Sequence, residues 1–249
     1  MSTAPRTRND CVGHVHAVEH ECEAVIFDLF GTLVAAPSAA DRELAVGEFA
    51  AAMEVSSDTV DSALNDSWRP RHDGRLRSAA EVAAHLVVRC GAARARTNDV
   101  ETTLLRLASA RLGADRSVYR ALDMLRRSGV RLALLSDASP EIAECWRTTP
   151  LAPYFHTVVF SCWEGAIKPA PRLFARALEQ LDVPAHGTVY CGDGGGDELM
   201  GAQRAGLRAL RVARRGGQDG LAFGETPWHG DCVPSVEALP AVLTSRRDR

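Results

Sequence analysis

The chain has 249 residues, of which 46% are hydrophobic and 24% charged, and its formal net charge is −3. That is enough chain for one core carrying an inserted subdomain, in the proportions of an ordinary globular protein. The near-neutral charge argues against nucleic acid or an anionic membrane as an obligate partner, and the apolar runs are strand-length, far short of the roughly 20 residues that a membrane helix needs.

Residues 1–22 are polar and lack helical periodicity, which predicts a flexible N-terminal arm. They contain no apolar stretch of the secretory type, so a cytoplasmic location is expected. Cys11, His14, His16, His20 and Cys22 cluster there, but no spacing among them matches a zinc pattern. The seven cysteines are odd in number and irregular in spacing, which fits reduced thiols better than a disulfide framework.

Ala24 to Phe27 is an apolar run ending at Asp28, and it reads as a buried strand of a parallel sheet. Gly31 and Thr32 follow as a turn. Residues 39–113 are helical in pattern and rich in Ala, Leu and Arg, with a break at Arg69-Pro70-Arg71-His72-Asp73-Gly74. Alternation of helix and strand then begins. Helices are predicted over Ser117–Ser128, from Ser139-Pro140 onward, over Pro171–Leu181, over Glu198–Ala205 and over 236–243. Ser139 is the expected N-cap, with Pro140 at the first helical position. Strands are predicted over Val130–Leu135, Thr157–Phe160, Thr188–Cys191 and Arg208–Val212, with a short last one near Cys232. The Gly-rich stretch 214–229 reads as a surface loop. This order predicts an α/β fold: a Rossmann-like parallel sheet flanked by helices. Residues 23–38 and 114–249 form the core, and 39–113 form an inserted all-helical subdomain.

In open parallel sheets, ligands bind at the carboxyl ends of the strands. Four such places carry polar groups here: Asp28, Ser136, the Lys168-Pro169 region after the third strand, and Gly192-Asp193 with Asp197 and Glu198. Lys168 is the only lysine among 29 basic residues. In a chain that otherwise uses arginine for positive charge, that marks a site needing a compact ammonium.

The segments FDLFGTLV (27–34), LLSDAS (134–139), KPAP (168–171) and YCGDGGGDELMGAQRAG (190–206), in this order, resemble the haloacid dehalogenase superfamily. The resemblance implies a hydrolase with Asp28 as nucleophile and Ser136 and Lys168 as further catalytic groups. It implies substrate contacts from Gly31, Thr32 and Asp137, and a Mg²⁺ site built from Asp28, the backbone carbonyl of Phe30, Asp193 and a supporting acid. Counting forward from Asp193 favours Asp197 as that acid, whereas counting back from Gly201 and Gly206 favours Glu198. Both stay open, with Asp197 ahead. The insertion at 39–113 stands where the superfamily places a helical cap, and Arg71 and His72 in its break are candidate substrate readers. The expected partner is a small phosphorylated molecule, and the expected assembly a monomer or homodimer.

One position departs from the superfamily's phosphatase pattern. Phe30 stands where a second Asp usually serves as general acid and base, help worth roughly 10²–10⁴-fold. Three readings follow: a Mg²⁺-dependent phosphatase that manages without this acid, a metal-independent 2-haloacid dehalogenase, and a binding protein that keeps the fold without turnover. The retained acids Asp193, Asp197 and Glu198 favour the first, because carboxylates gathered opposite Asp28 repel one another without a cation.

Overall fold

A computed structural model describes residues 22–212 and 228–244. The expected N-terminal arm, apart from Cys22, and the expected loop at 214–229, apart from Trp228 and His229, lie outside the described residues.

The chain enters the sheet through β1 (Ala24–Phe27). Five helices follow: α1 (Ala39–Met53), α2 (Ser57–Asp66), α3 (Trp68–His72), α4 (Ala79–Arg89) and α5 (Thr97–Ala110). Strands and helices then alternate through α6 (Arg116–Arg127), β2 (Arg131–Ser136), α7 (Pro140–Trp146), β3 (Thr157–Phe160), α8 (Ser161–Glu164) and α9 (Pro171–Leu181). They continue through β4 (Thr188–Gly192), α10 (Glu198–Arg204), β5 (Arg208–Val212), β6 (Cys232–Val233) and α11 (Leu239–Leu243). The predicted last helix is split, a 3₁₀ turn at Val236–Ala238 leading into α11.

The six strands form one sheet in the order β3-β2-β1-β4-β5-β6, and every pairing is parallel. β1 is central, and its side chains alternate between two cores as strand geometry requires. Val25 and Phe27 pack with Leu132, Leu134 and the α6 side, while Ala24 and Ile26 pack with Ala133, Leu135 and the α9 side. Burial on both faces explains why β1 reads as an unbroken apolar run. The chain leaves β1 toward β2 on one side and returns to β4 on the other. The ends of β1, β2 and β4 therefore flank the topological switch point, where a crevice opens.

The helical insertion has a hydrophobic cluster of its own, with Phe49, Met53, Val60, Leu64, Val82, Leu86, Val100 and Leu104 among its members. The break expected at Arg69–Gly74 is a short helix instead, α3. Pro70 does not prevent it, because it lies in the first turn, where the missing N–H has no intrahelical acceptor to lose. Among the described residues no helix is long and apolar enough to cross a membrane. The six cysteines described, Cys22, Cys90, Cys145, Cys162, Cys191 and Cys232, are all free.

Candidate active site

Asp28 emerges at the carboxyl end of β1, its amide donating to the Cys191 carbonyl at 2.9 Å. The turn after it closes through hydrogen bonds from Leu33 and Val34 to the Leu29 carbonyl, with Gly31 in the left-handed region at φ 84°. A side chain would be strained there, which accounts for the glycine. The turn brings the Thr32 hydroxyl back to donate to Asp28 Oδ2 at 3.2 Å.

Lys168 reaches the same carboxylate from the loop before α9. Its Nζ donates to Asp28 Oδ1 at 2.6 Å, to Glu198 Oε2 at 2.5 Å and to the Tyr190 hydroxyl at 3.3 Å. Tyr190 in turn donates to Glu198 Oε2 at 2.7 Å, and the amide of Gly194 donates to Glu198 Oε1 at 2.9 Å. Three acceptors thus converge on an ammonium-sized slot, a geometry that a planar guanidinium does not fit. Gly192 makes room for it: a Cβ there would overlap the Glu198 carboxylate. Asp193, at the end of β4, is fixed by the Gly195 amide on Oδ1 at 2.9 Å. Asp137 accepts from the Lys168 amide at 2.9 Å, so its carboxylate braces the loop that carries the lysine.

Carboxylate oxygens of Asp28, Asp193 and Glu198 all lie within 4.8 Å of one another, and all three residues are buried. One ammonium does not balance three carboxylates. Burial, joined by Glu198 and Asp193, pushes Asp28 up to about 8 against the pull of Lys168. Burial by itself would lower the Lys168 ammonium, but Asp28 and Glu198 reverse this and hold it well above the ordinary lysine range. Burial also raises Asp137 to about 6, again opposed by Lys168. An all-oxygen, negatively charged cluster of this kind suits a hard divalent cation.

The two candidate supporting acids, Asp197 and Glu198, stand in different surroundings. Asp197 is exposed, sitting at the N-cap of α10 in the left-handed region at φ 57°, while Glu198, 1% exposed, turns inward. Successive residues at a helix start point about 100° apart, so only one of two adjacent acids can face the crevice.

Asp28, Phe30, Ser136, Asp137, Lys168, Asp193 and Glu198 line one cavity of about 710 Å³, together with Arg71 and His72 of α3. Ser136 closes β2 and is 1% exposed. The contacts of Arg71 and His72, the candidate substrate readers, restrict what each can offer. Arg71 spends Nε and Nη2 on the carbonyls of Ser67 and Leu64, at the end of α2, and its Nη1 stands 3.9 Å from Glu141. His72 stacks on Trp68, with ring centroids 4.6 Å apart, and its Nδ1 lies 2.6 Å from the Trp68 carbonyl. That acceptor assigns the proton to Nδ1. Burial and the neighbouring Arg71 push His72 down to about 3, so the ring is neutral near pH 7.

Three features escaped the sequence reading. Tyr190 completes the Lys168–Glu198 network, and a tyrosine inside a fully buried strand was a signal, since its hydroxyl must find a partner. Arg111, just beyond α5, places its guanidinium carbon 4.6 Å from the Phe30 ring centroid. Nothing in its surroundings along the chain pointed to that. Ser139 holds the expected N-cap position of α7 but donates its hydroxyl to Glu141 Oε1 at 2.6 Å, so it does not cap the helix amides through its side chain.

Comparison with known proteins agrees with this architecture. The glyceraldehyde 3-phosphate phosphatase of Methanopyrus kandleri is 37% identical over 84 residues, 34% of each chain. The phosphoserine phosphatase of Thermus thermophilus is 38% identical over 90 residues, 36% of each chain. The chain thus spans about a third of the length of these relatives. Among solved structures, 2-haloacid dehalogenase from Pseudomonas syringae pv. Tomato superposes with a TM-score of 0.65 at 22% identity, covering 89% of this chain and 97% of that one. A HAD phosphatase from Thermococcus onnurineus superposes with a TM-score of 0.61 at 18% identity, covering 89% and 97%. These two share the fold. The model of the haloacid dehalogenase-like hydrolases matches residues 22–206, well over half of the chain, and the protein belongs to that family of hydrolases.

Proposed function

We propose that this hydrolase is a Mg²⁺-dependent phosphatase acting on a small phosphorylated metabolite through an aspartyl-phosphate on Asp28. The observation that carries the reading is the placement of Asp28 between one ammonium and two further buried carboxylates. A carboxylate nucleophile splits a difficult displacement into two easier ones. Asp28 is already aimed by Lys168 and Thr32, so little reorganisation precedes attack. Lys168 offsets negative charge as the phosphoryl group approaches, and Ser136 offers a hydroxyl to a phosphoryl oxygen.

The donor set fits a divalent cation. Asp28, Asp193 and the Phe30 carbonyl would hold Mg²⁺, which supplies charge neutralisation for the phosphoryl oxygens when bound. Glu198 acts differently, since both of its oxygens are already engaged by Lys168, Tyr190 and Gly194. It sets the position of the lysine and of the loop carrying Asp193. Residues 39–113 serve as a cap over the core formed by 23–38 and 114–249. Their separate hydrophobic cluster and their share of the cavity wall support that division.

Phe30 favours a second reading, a 2-haloacid dehalogenase, because halide departs without a proton. The acid cluster around Asp193 counts against it. A panel of phosphate esters and 2-haloacids, assayed with and without Mg²⁺, separates the two. Phosphate release that needs Mg²⁺ is the expected result. Halide release without metal overturns it, and silence on both panels leaves the fold with a binding role.

A further inference from the structure

Much of the cavity lining is apolar and comes from the insertion. Leu44, Phe49, Leu64, Leu104 and Leu107 line it, joined by Ile142 of α7. Leu44 is 60% exposed, an apolar side chain left facing this space. A volume of about 710 Å³ far exceeds a phosphoryl group with a two- or three-carbon body, and falls in the range that accepts a ring-sized ligand.

Of the cavity-lining groups, Phe30, His72 and Asp137 have little to offer as acids, while the carboxylates of Asp41 and Glu141 lie further along the insertion and α7. Phe30 carries no proton. His72 commits its N–H to the Trp68 carbonyl, and the Asp137 carboxylate is occupied by the Lys168 amide. Arg111 lies against the Phe30 ring, and among the described residues its guanidinium makes no hydrogen bond or ion pair. A guanidinium cannot supply a proton near neutral pH, but it stabilises negative charge and presents several N–H donors. Stacking on Phe30 fixes it beside the turn that carries the nucleophile.

We infer that the substrate is a phosphate monoester of a phenol or enol with an apolar body, and that Arg111 faces the departing oxygen. This rests on the phosphatase reading above and narrows it. Asp28 attacks phosphorus and the P–O bond to the leaving group breaks. The electron pair stays on the departing oxygen as a phenolate or enolate, which Arg111 stabilises and which takes its proton from water after release. Water then cleaves the aspartyl-phosphate, and inorganic phosphate leaves. A phenol ionises near the tyrosine value of about 10. An aliphatic alcohol lies closer to water, at about 16, and its alkoxide needs the acid that Phe30 does not provide beside the nucleophile.

The test is kcat/KM, which reads the first bond-breaking step, measured with Mg²⁺ on a graded set of esters. The set comprises phenyl phosphates substituted to span roughly three units of phenol acidity, 1-naphthyl phosphate, n-hexyl phosphate and glycerol 3-phosphate. The rate constant should fall by roughly fivefold or more per unit of phenol pKa, and both alkyl esters should lie at least about 100-fold below phenyl phosphate. 1-Naphthyl phosphate should show a KM several-fold below that of phenyl phosphate. Arg111→Met should slow the poorest leaving groups most and so steepen the slope. Alkyl esters hydrolysed at aryl rates, or equal KM for naphthyl and phenyl esters, overturn the substrate class while leaving a phosphatase in place. An unchanged slope in Arg111→Met removes Arg111 from the departing oxygen. Silence from every ester removes the phosphatase reading itself, and this inference with it.

Discussion

The two walls of the cavity are built on different principles. On the sheet side, the carboxylates are each pinned by a neighbour: Asp28 by Lys168 and Thr32, Glu198 by Tyr190 and Gly194, Asp193 by Gly195. On the helical side, the lining is mostly aliphatic; among its polar members Arg71 is turned to structural work, and Arg111 stacks on Phe30 with no hydrogen bond or ion pair among the described residues. A network satisfied in the low dielectric of the interior is rigid and costly to disturb. An apolar wall tolerates change and discriminates by shape. Under the function proposed above, the first wall would carry the chemistry and the second the choice of substrate.

The largest expected effect tests the first wall. Asp28→Asn keeps the shape but removes the proposed nucleophile, so turnover should fall on the order of 10⁴-fold or more. The variant should remain folded, because it relieves crowding among three buried carboxylates. Its thermal midpoint should equal or exceed that of the parent protein. Retained turnover would move the nucleophile elsewhere and dissolve the distinction between the walls.

A smaller but sharper effect is expected from Lys168→Arg. Charge is conserved, yet the slot offers three acceptors converging on one donor atom. The planar guanidinium must displace Tyr190 or Glu198, and activity should drop by roughly 10²–10³-fold, the usual loss when a positioned donor is misplaced. Steady-state assay with a folded-state check by near-UV circular dichroism measures it. An active Lys168→Arg would mean that only the charge matters on this wall.

The two walls were unequally legible in the sequence. β1, β3, α9 and β5 were read to the residue, because a buried parallel strand is an apolar run bounded by turn residues and an exposed helix face recurs every third or fourth position. The polar residues that end β1, β2 and β4 stand out against those runs, so Asp28, Ser136 and Asp193 could be picked individually. Glu198 could not be separated from Asp197, because the choice depends on the left-handed turn at Asp197, which side-chain type does not specify. The helical wall was harder still. Arg111 meets Phe30 across 81 positions of chain, and one arginine among 28 carries no mark of that contact. α3 was read as a break, because Pro and Gly near each other look alike whether the proline sits in a helix's first turn or outside it.

The smallest effect sharpens the description of the second wall. His72 is buried beside Arg71, with Arg111 also adding positive charge, while the Trp68 carbonyl and Asp73 only partly compensate; together these push the ring down to about 3. In the unfolded chain the ordinary histidine value is about 6.5. The folded-state value is the lower of the two, so protons bind the unfolded chain first. Stability is therefore unaffected by His72 above about pH 6.5 and is lost progressively as pH falls below it. By pH 5 the loss attributable to this ring should be about 1–2 kcal/mol, allowing for its partial exposure. His72→Gln keeps a polar group against Trp68 but cannot take up that proton. Urea denaturation at pH 7 and pH 5 should show the parent protein losing more stability than the variant. Equal losses would mean that His72 is solvated in the folded state, and the second wall would then be an open loop surface without the dry, neutral face that shape discrimination requires.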